Sequence, residues 1–263
     1  MRFEVNGKAV YASTGGRDHQ EGAPWLIFLH GAGSSHLVWS QQSRSFAYGG
    51  YNVLAIDFPG HNLSSGEPLE NVEAQADWLI DVMGQLNIDK VSLVGHSQGG
   101  LVALSLASKA PEKVEKIVFV ATAAAIPVND MLISAAETKQ HRAKSSMTAW
   151  GLGPEAHHYD NTVPGFSHIG GGLRTMDLNV EEALPIDLKA CNAFENGLEM
   201  ASALQCPTMT VLAGKDKMTP LKFGMKLAEA LPNNQLHVLK HSGHTIPLEC
   251  AHELNAFMRE FLS

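Results

Sequence analysis

The chain has 263 residues, 44% of them hydrophobic and 17% charged, and its formal net charge is 19 − 27 = −8. This apolar share supports a sizeable core, which excludes a disordered chain, and the acidic balance is wrong for a nucleic-acid binder. Three cysteines are too few, and odd in number, for a disulfide framework.

A length of this size suggests one or two domains at about 150 residues each. No run nears the roughly 18 apolar residues of a membrane span. The opening MRFEVNGKAV has no apolar stretch of the signal-peptide kind. A cytoplasmic globular protein is the expectation.

The first element is a hairpin, FEV-NG-KAVYAS, in which Asn6-Gly7 supplies the two positive-φ positions of a tight turn. A rhythm of short apolar runs follows at Trp25–His30, Asn52–Phe58, Val91–His96, Ile117–Thr122 and Thr208–Ala213, with a more polar run at Gln235–Lys240. Continuous apolar strands of this kind belong to a parallel sheet covered on both faces. Helices are expected between them. Glu70–Leu86 carries Val72, Ala76, Leu79, Ile80, Met83 and Leu86 at the spacing of one face. Leu101–Ala110 is apolar nearly all round and stops at Pro111. Pro220–Leu231 and Pro247–Leu262 each begin with a proline suited to a first turn.

The rhythm breaks between Pro127 and Leu204, a stretch with three consecutive glycines (Gly170–Gly172), several histidines, and the apolar Met131, Met147, Trp150, Phe166 and Met176. It reads as an insertion of short helices and loops with no further strand. The fold class expected is α/β, a doubly covered and mostly parallel sheet. Residues 1–126 and 205–263 would form its core, and 127–204 a mainly helical cap.

Three sequence signals carry chemistry. Gly95-His96-Ser97-Gln98-Gly99-Gly100 follows an expected strand and opens an expected helix. A sharp strand-to-helix turn pushes a serine Oγ out of the sheet, and the residues two positions away must be small, as Gly95 and Gly99 are. The turn also leaves the Gln98 N–H at a helix N-terminus, where partial positive charge collects. His30-Gly31-Ala32-Gly33 ends the Trp25–His30 strand, and its glycines let the backbone pass close to a bound group, with the Ala32 N–H as a second donor. Asp216 and His244 each sit just past a strand, on the carboxyl edge where open α/β sheets place ligands. The chain order Ser97, Asp216, His244 suits a serine triad on such a sheet. Asp130, past the Ile117–Thr122 strand, is a rival acid.

Taken together, HGAG (His30–Gly33), DFPGHNLSSG (Asp57–Gly66), GHSQGG (Gly95–Gly100), LAGKDKMTP (Leu212–Pro220) and SGHTIP (Ser242–Pro247) resemble the α/β-hydrolase superfamily. The resemblance covers about Trp25–Ala123 and Cys206–Leu262. In the middle only the position of the variable cap matches. It implies Ser97 as nucleophile, His244 as base, Asp216 as its orienter, and the N–H groups of Ala32 and Gln98 as oxyanion donors. Members with a nucleophilic aspartate carry it where this chain has Ser97, which disfavours dehalogenase and epoxide hydrolase chemistry. Among serine members the chain looks most like small carboxylesterases and lipases.

The function expected is hydrolysis of a small to medium, partly apolar carboxylic ester through an acyl-enzyme, with no metal or organic cofactor. The partner expected is a small-molecule ester, with no nucleic acid and no membrane span. Activity should climb as pH rises through the histidine range, about 6.5 for a free imidazole. The same triad also serves lactones, thioesters, C–C bonds and acyl transfer, and a receptor-like member with little turnover is a further alternative. Trp150 and Met218 are candidate pocket residues. His96 is expected to pack under the serine turn, and His61 and Asp57 to brace loops. His157, His158 and His168 are expected as solvated loop residues rather than metal ligands, since no ligand spacing joins them. Cys191, Cys206 and Cys250 read as small core or near-core residues.

Overall fold

A computed structural model describes the whole chain except residues 155, 157–164 and 166. In chain order the strands are β1 (Arg2–Val5), β2 (Lys8–Ser13), β3 (Trp25–Leu29), β4 (Asn52–Ile56), β5 (Val91–His96), β6 (Val114–Val120), β7 (Thr208–Ala213) and β8 (Asn234–Leu239). The helices that flank the sheet are α1 (Ser40–Tyr48), α2 (Val72–Gln85) and α3 (Gln98–Lys109). Between β6 and β7 the described residues form α4 (Asp130–Thr138), α5 (Gln140–Gly151), α6 (His168–Asp177), α7 (Ala183–Ala193) and α8 (Gly197–Ala203), and no strand. The chain closes with α9 (Leu221–Ala230), α10 (Ile246–Glu249) and α11 (Ala251–Leu262).

The strands form one sheet in the order β1-β2-β4-β3-β5-β6-β7-β8. β1, β2 and β4 pair antiparallel, and all pairs from β4 to β8 are parallel. The hairpin is closed by Asn6 and Gly7, both in the left-handed region at φ 52° and 72°, as a two-residue turn requires.

Alternation within the strands splits the core into two layers. Ile27 and Leu29 of β3 join Leu54, Ile56, Leu93 and Phe119 under α2 and α3. Leu26 and Phe28 of the same strand face the other way, joining Val53, Val94 and Val118 against α1 and α11. The inner strands β3, β4, β5 and β7 are therefore buried on both sides, which is why they read as continuous runs rather than alternating ones.

Three elements differ from the sequence reading. α1 was not anticipated: its run SQQSRSFAY is polar, and only Gln42, Ser43, Phe46 and Ala47 turn inward. β6 starts at Val114, where Glu115 is exposed and Lys116 half-buried, so its first turnings toward solvent look unlike a core strand. The last helix is two helices, broken at Cys250.

Candidate functional site

Ser97 sits between the last residue of β5 and the first of α3, with φ 53° and ψ −120°. An L-residue adopts positive φ at a cost, and such strain is held only where the surroundings over-determine it. Here the restraints are close. The Ser97 N–H donates to the Val120 carbonyl at 3.0 Å, and Thr122 Oγ1 donates to the Ser97 carbonyl at 2.7 Å. A Cβ on Gly95 would run into the Gly99 carbonyl, and one on Gly99 into the Leu29 carbonyl. Gln98 opens α3, so its N–H is one of the first-turn donors that no preceding turn can accept.

Asp216 and His244 follow β7 and β8, which are adjacent parallel strands. His244 Nδ1 donates to Asp216 Oδ2 at 2.8 Å. The other carboxylate oxygen, Oδ1, accepts the N–H groups of Met218 and Thr219, both at 2.8 Å. Burial alone would raise the Asp216 carboxyl. The charge and hydrogen bond of His244, together with those from Thr219, outweigh it and hold the carboxyl below its usual range. Asp130, the rival acid, is exposed at the start of α4. His96 is buried beside this pair: its Nε2 donates to the His244 carbonyl at 3.0 Å, and the two rings lie 4.7 Å apart. Burial, then the neighbouring His244, push His96 down to about 3, so it is neutral at physiological pH.

The segment between β6 and β7 reaches this edge at two places through buried carboxylates. Asp187 on α7 accepts from the Gly33 N–H at 2.8 Å and from His61 Nε2 at 2.9 Å. Glu249 on α10 accepts the N–H groups of Gly153 and Gly243 at 2.9 Å and of Thr245 at 3.1 Å. It thereby ties the end of α5 to both residues that flank His244. The His244 N–H itself donates to the Gly151 carbonyl at 2.6 Å.

A cavity of about 520 Å³ opens over this edge. Ser97, His244 and Ala32 contribute to its wall, and so do Trp150 and Met218. The rest is largely apolar, with Val128, Leu132, Met147 and Leu188 from the β6–β7 segment or its approach. Arg174 and Lys217 also line it, and both are exposed.

His168 departs from the solvated-loop expectation. It is buried at 5% exposure, at the start of α6, and lines the cavity. His157 and His158 lie outside the described residues, as does Phe166. Among the described residues no group of three or more His, Cys, Asp or Glu could hold a metal ion. Also among them, no helix is long and apolar enough to cross a membrane. Cys191 is buried, and Cys206 and Cys250 are half-buried.

Sequence reasoning missed Thr219, Asp187 and Glu249. Thr219 left a signal: an Asp followed two and three residues later by backbone N–H groups it can cap is an Asx-type turn. Asp187 left none, because Gly33 and His61 are 154 and 126 residues away; Glu249 has two near partners, Gly243 and Thr245, but its tie to Gly153 spans 96 residues.

Residues 26–257 match the model of the alpha/beta hydrolase family. The chain is similar to a 2-hydroxy-6-oxononadienedioate/2-hydroxy-6-oxononatrienedioate hydrolase of Pseudomonas sp, at 26% identity over 99% of this chain and 93% of that one. It is also similar to a 2-hydroxy-6-oxo-6-phenylhexa-2,4-dienoate hydrolase of Burkholderia cepacia, at 27% identity over 90% of this chain and 87% of that one. Among solved structures, the enol-lactonase from Burkholderia xenovorans LB400 superimposes with a TM-score of 0.87 at 20% identity, covering 100% of this chain and 99% of that one. With the family model spanning nearly the whole chain, and the sheet order and strand-edge residues described above, the protein belongs to the alpha/beta hydrolase family.

Proposed function

We propose that the protein hydrolyses carboxylic esters through an acyl-enzyme on Ser97, with residues 127–204 acting as a cap that shapes the substrate chamber. The supporting observation is that the strained Ser97 and the Asp216-bound His244 share one largely apolar cavity. In this reading His244 takes the Ser97 proton as Oγ attacks the ester carbonyl. The Nδ1–H···Asp216 bond fixes the ring so that Nε2 is the basic nitrogen, and the carboxylate stabilises the imidazolium. The N–H groups of Ala32 and Gln98 receive the oxyanion; losing one such donor typically costs about 10²–10³ in rate. His244 then returns its proton to the leaving alcohol. Water, activated by the same imidazole, releases the acid. An apolar wall favours an apolar acyl or alcohol group.

A second reading keeps the first step and changes the bond cleaved. The curated relatives named above are hydrolases of 2-hydroxy-6-oxo-dienoic acids, which favours cleavage of a C–C bond beside a carbonyl. Turnover of p-nitrophenyl esters from two to ten acyl carbons, set beside a 2-hydroxy-6-oxo-dienoate, separates the two. The ester reading predicts a kcat/KM optimum at medium chain length and little turnover of the dienoate. Turnover of the dienoate alone replaces it with the second reading.

A further inference from the structure

Four hydrogen-bond donors converge on the carboxylate of Asp187, which is 1% exposed. Oδ2 receives the Gly33 N–H at 2.8 Å and His61 Nε2 at 2.9 Å. Oδ1 faces Gln98 Nε2 at 3.3 Å and Gln75 Nε2 at 3.4 Å. The Nε2 of His61 meets the carboxylate, and its Nδ1 meets the Pro59 carbonyl at 3.0 Å, two acceptors that a protonated ring satisfies together. The directions of titration agree. Burial pulls His61 down, but the charge and hydrogen bond of Asp187 outweigh it and leave it raised. The converse contacts leave Asp187 lowered despite its burial.

Two of these donors belong to the residues that frame the serine. Gly33 is the chain neighbour of Ala32, and the third donor is the side chain of Gln98 itself. A second contact from the same β6–β7 segment holds the other side of that loop: Asn179 Nδ2 donates to the Gly33 carbonyl at 2.7 Å. One anion, carried by α7, thus grips both strand-end loops at once. An ion pair so deeply buried is weak evidence for stability, since an apolar pair of equal volume often serves as well. A job in setting geometry explains it better.

We infer that Asp187 is a positioning residue, which fixes the Ala32–Gly33 loop and Gln98 relative to each other so that their two backbone N–H groups converge on the oxyanion. The inference rests on the serine-hydrolase reading above. It adds that docking of α7 and assembly of the oxyanion site are one event.

The test uses the full chain and two readouts, p-nitrophenyl butyrate turnover and the inhibition constant of an alkyl trifluoromethyl ketone, which adds to a serine Oγ and needs the oxyanion donors. For Asp187→Ala we expect kcat to fall at least 30-fold with KM within threefold, and the ketone inhibition constant to rise in step. Asp187→Asn should restore part of that loss, since it keeps the hydrogen bonds but leaves the buried His61 without its counter-charge. Its amide oxygen can still take the Gly33 N–H, and the amides of Gln75 and Gln98 can turn over to meet its NH₂. A merely structural role would lower the melting temperature of both variants without moving the ketone affinity relative to KM. Where Asp187→Ala does not fold, Gln98→Leu removes only a side-chain contact and keeps the backbone N–H. A three- to tenfold loss of kcat and of ketone affinity at constant KM is expected there. Unchanged ketone affinity in the variants, with the parent inhibited normally, overturns the assignment. A parent that neither binds the ketone nor turns over the ester overturns the serine-hydrolase reading, and this inference with it.

Discussion

Thr219 Oγ1 stands 2.7 Å from Asp216 Oδ2 and 3.2 Å from His244 Nδ1, at the junction of the carboxylate and the imidazole it orients. The same hydroxyl lies 2.8 Å from the Ala121 carbonyl. Ala121 follows β6 in a left-handed conformation at φ 45°. Thr219 therefore ties the acid's turn to the strand beside the serine.

Thr219→Val keeps the volume and removes the hydroxyl. A hydrogen bond to a charged group contributes about 1.5–3 kcal/mol, so kcat/KM should fall about tenfold or more. The Asp216 carboxyl, held down in part by Thr219, should titrate higher. Kinetics against pH for the variant and its parent measure both, and an unchanged profile with unchanged kcat/KM would remove Thr219 from the account.

Glu249→Gln tests the other clamp. Three N–H groups point at this carboxylate, and an amide must turn its NH₂ toward at least one of them. Burial already pushes the Glu249 carboxyl above its usual range. The variant should lose about 1–3 kcal/mol of stability. Because Gly243 and Thr245 flank His244, kcat should fall more than KM rises. Urea unfolding and steady-state kinetics decide this; a stability loss with intact kcat would limit Glu249 to holding the fold.

Stability should fall as the solution is acidified from about pH 6.5 toward pH 4. His30 is lowered to about 4 by burial and then by His61, and His96 to about 3 by burial and then by His244. Both pKa values lie below the free-imidazole value of about 6.5, so in this window the unfolded chain binds protons that the native chain refuses. Stability then rises with pH by up to about 1.4 kcal/mol per pH unit for each histidine. His61, raised, contributes in the opposite sense, with its share lost only above its unfolded value. Asp187, lowered, loses its share only below about pH 4, and Glu249, raised by burial, offsets part of the histidine slope just above its unfolded value. Urea unfolding from pH 4 to 7 on the parent and on His30→Gln checks the slope, which should flatten in the variant.

Trp150 lines the cavity yet is 39% exposed, which places it where the chamber meets solvent. Trp150→Ala should raise KM for p-nitrophenyl octanoate several-fold and leave KM for the acetate within about twofold, since apolar area buried stabilises by roughly 25 cal/mol per Å². Equal changes for both esters would place the acyl chain elsewhere.

The inner strands were legible because both faces are buried, so that WLIFL is all apolar and TMTVLA is polar only at its threonines. Ser97, Asp216 and His244 were legible as candidates for a related reason: each follows the carboxyl end of a parallel strand, and a parallel sheet gathers those ends on one edge. What stayed hidden depends on contacts between distant segments. Asp187 looks like any acidic residue on an amphipathic helix until α7 brings it against Gly33 and His61. His168 looked solvated because no ligand spacing joins it to other histidines, yet it opens α6 and is buried there. The polar α1 is fixed by tertiary packing of Phe46 against Phe28, at 6.3 Å between ring centroids, rather than by its own pattern.

The central claim is that Ser97 is the nucleophile, raised by His244. Intact-mass measurement after treatment with an alkyl fluorophosphonate, followed by peptide mapping, tests it most directly. The account predicts one adduct, on Ser97, absent in Ser97→Ala and formed at least 100-fold more slowly in His244→Ala. An adduct on another residue, or none under conditions that label a known serine esterase, would contradict it.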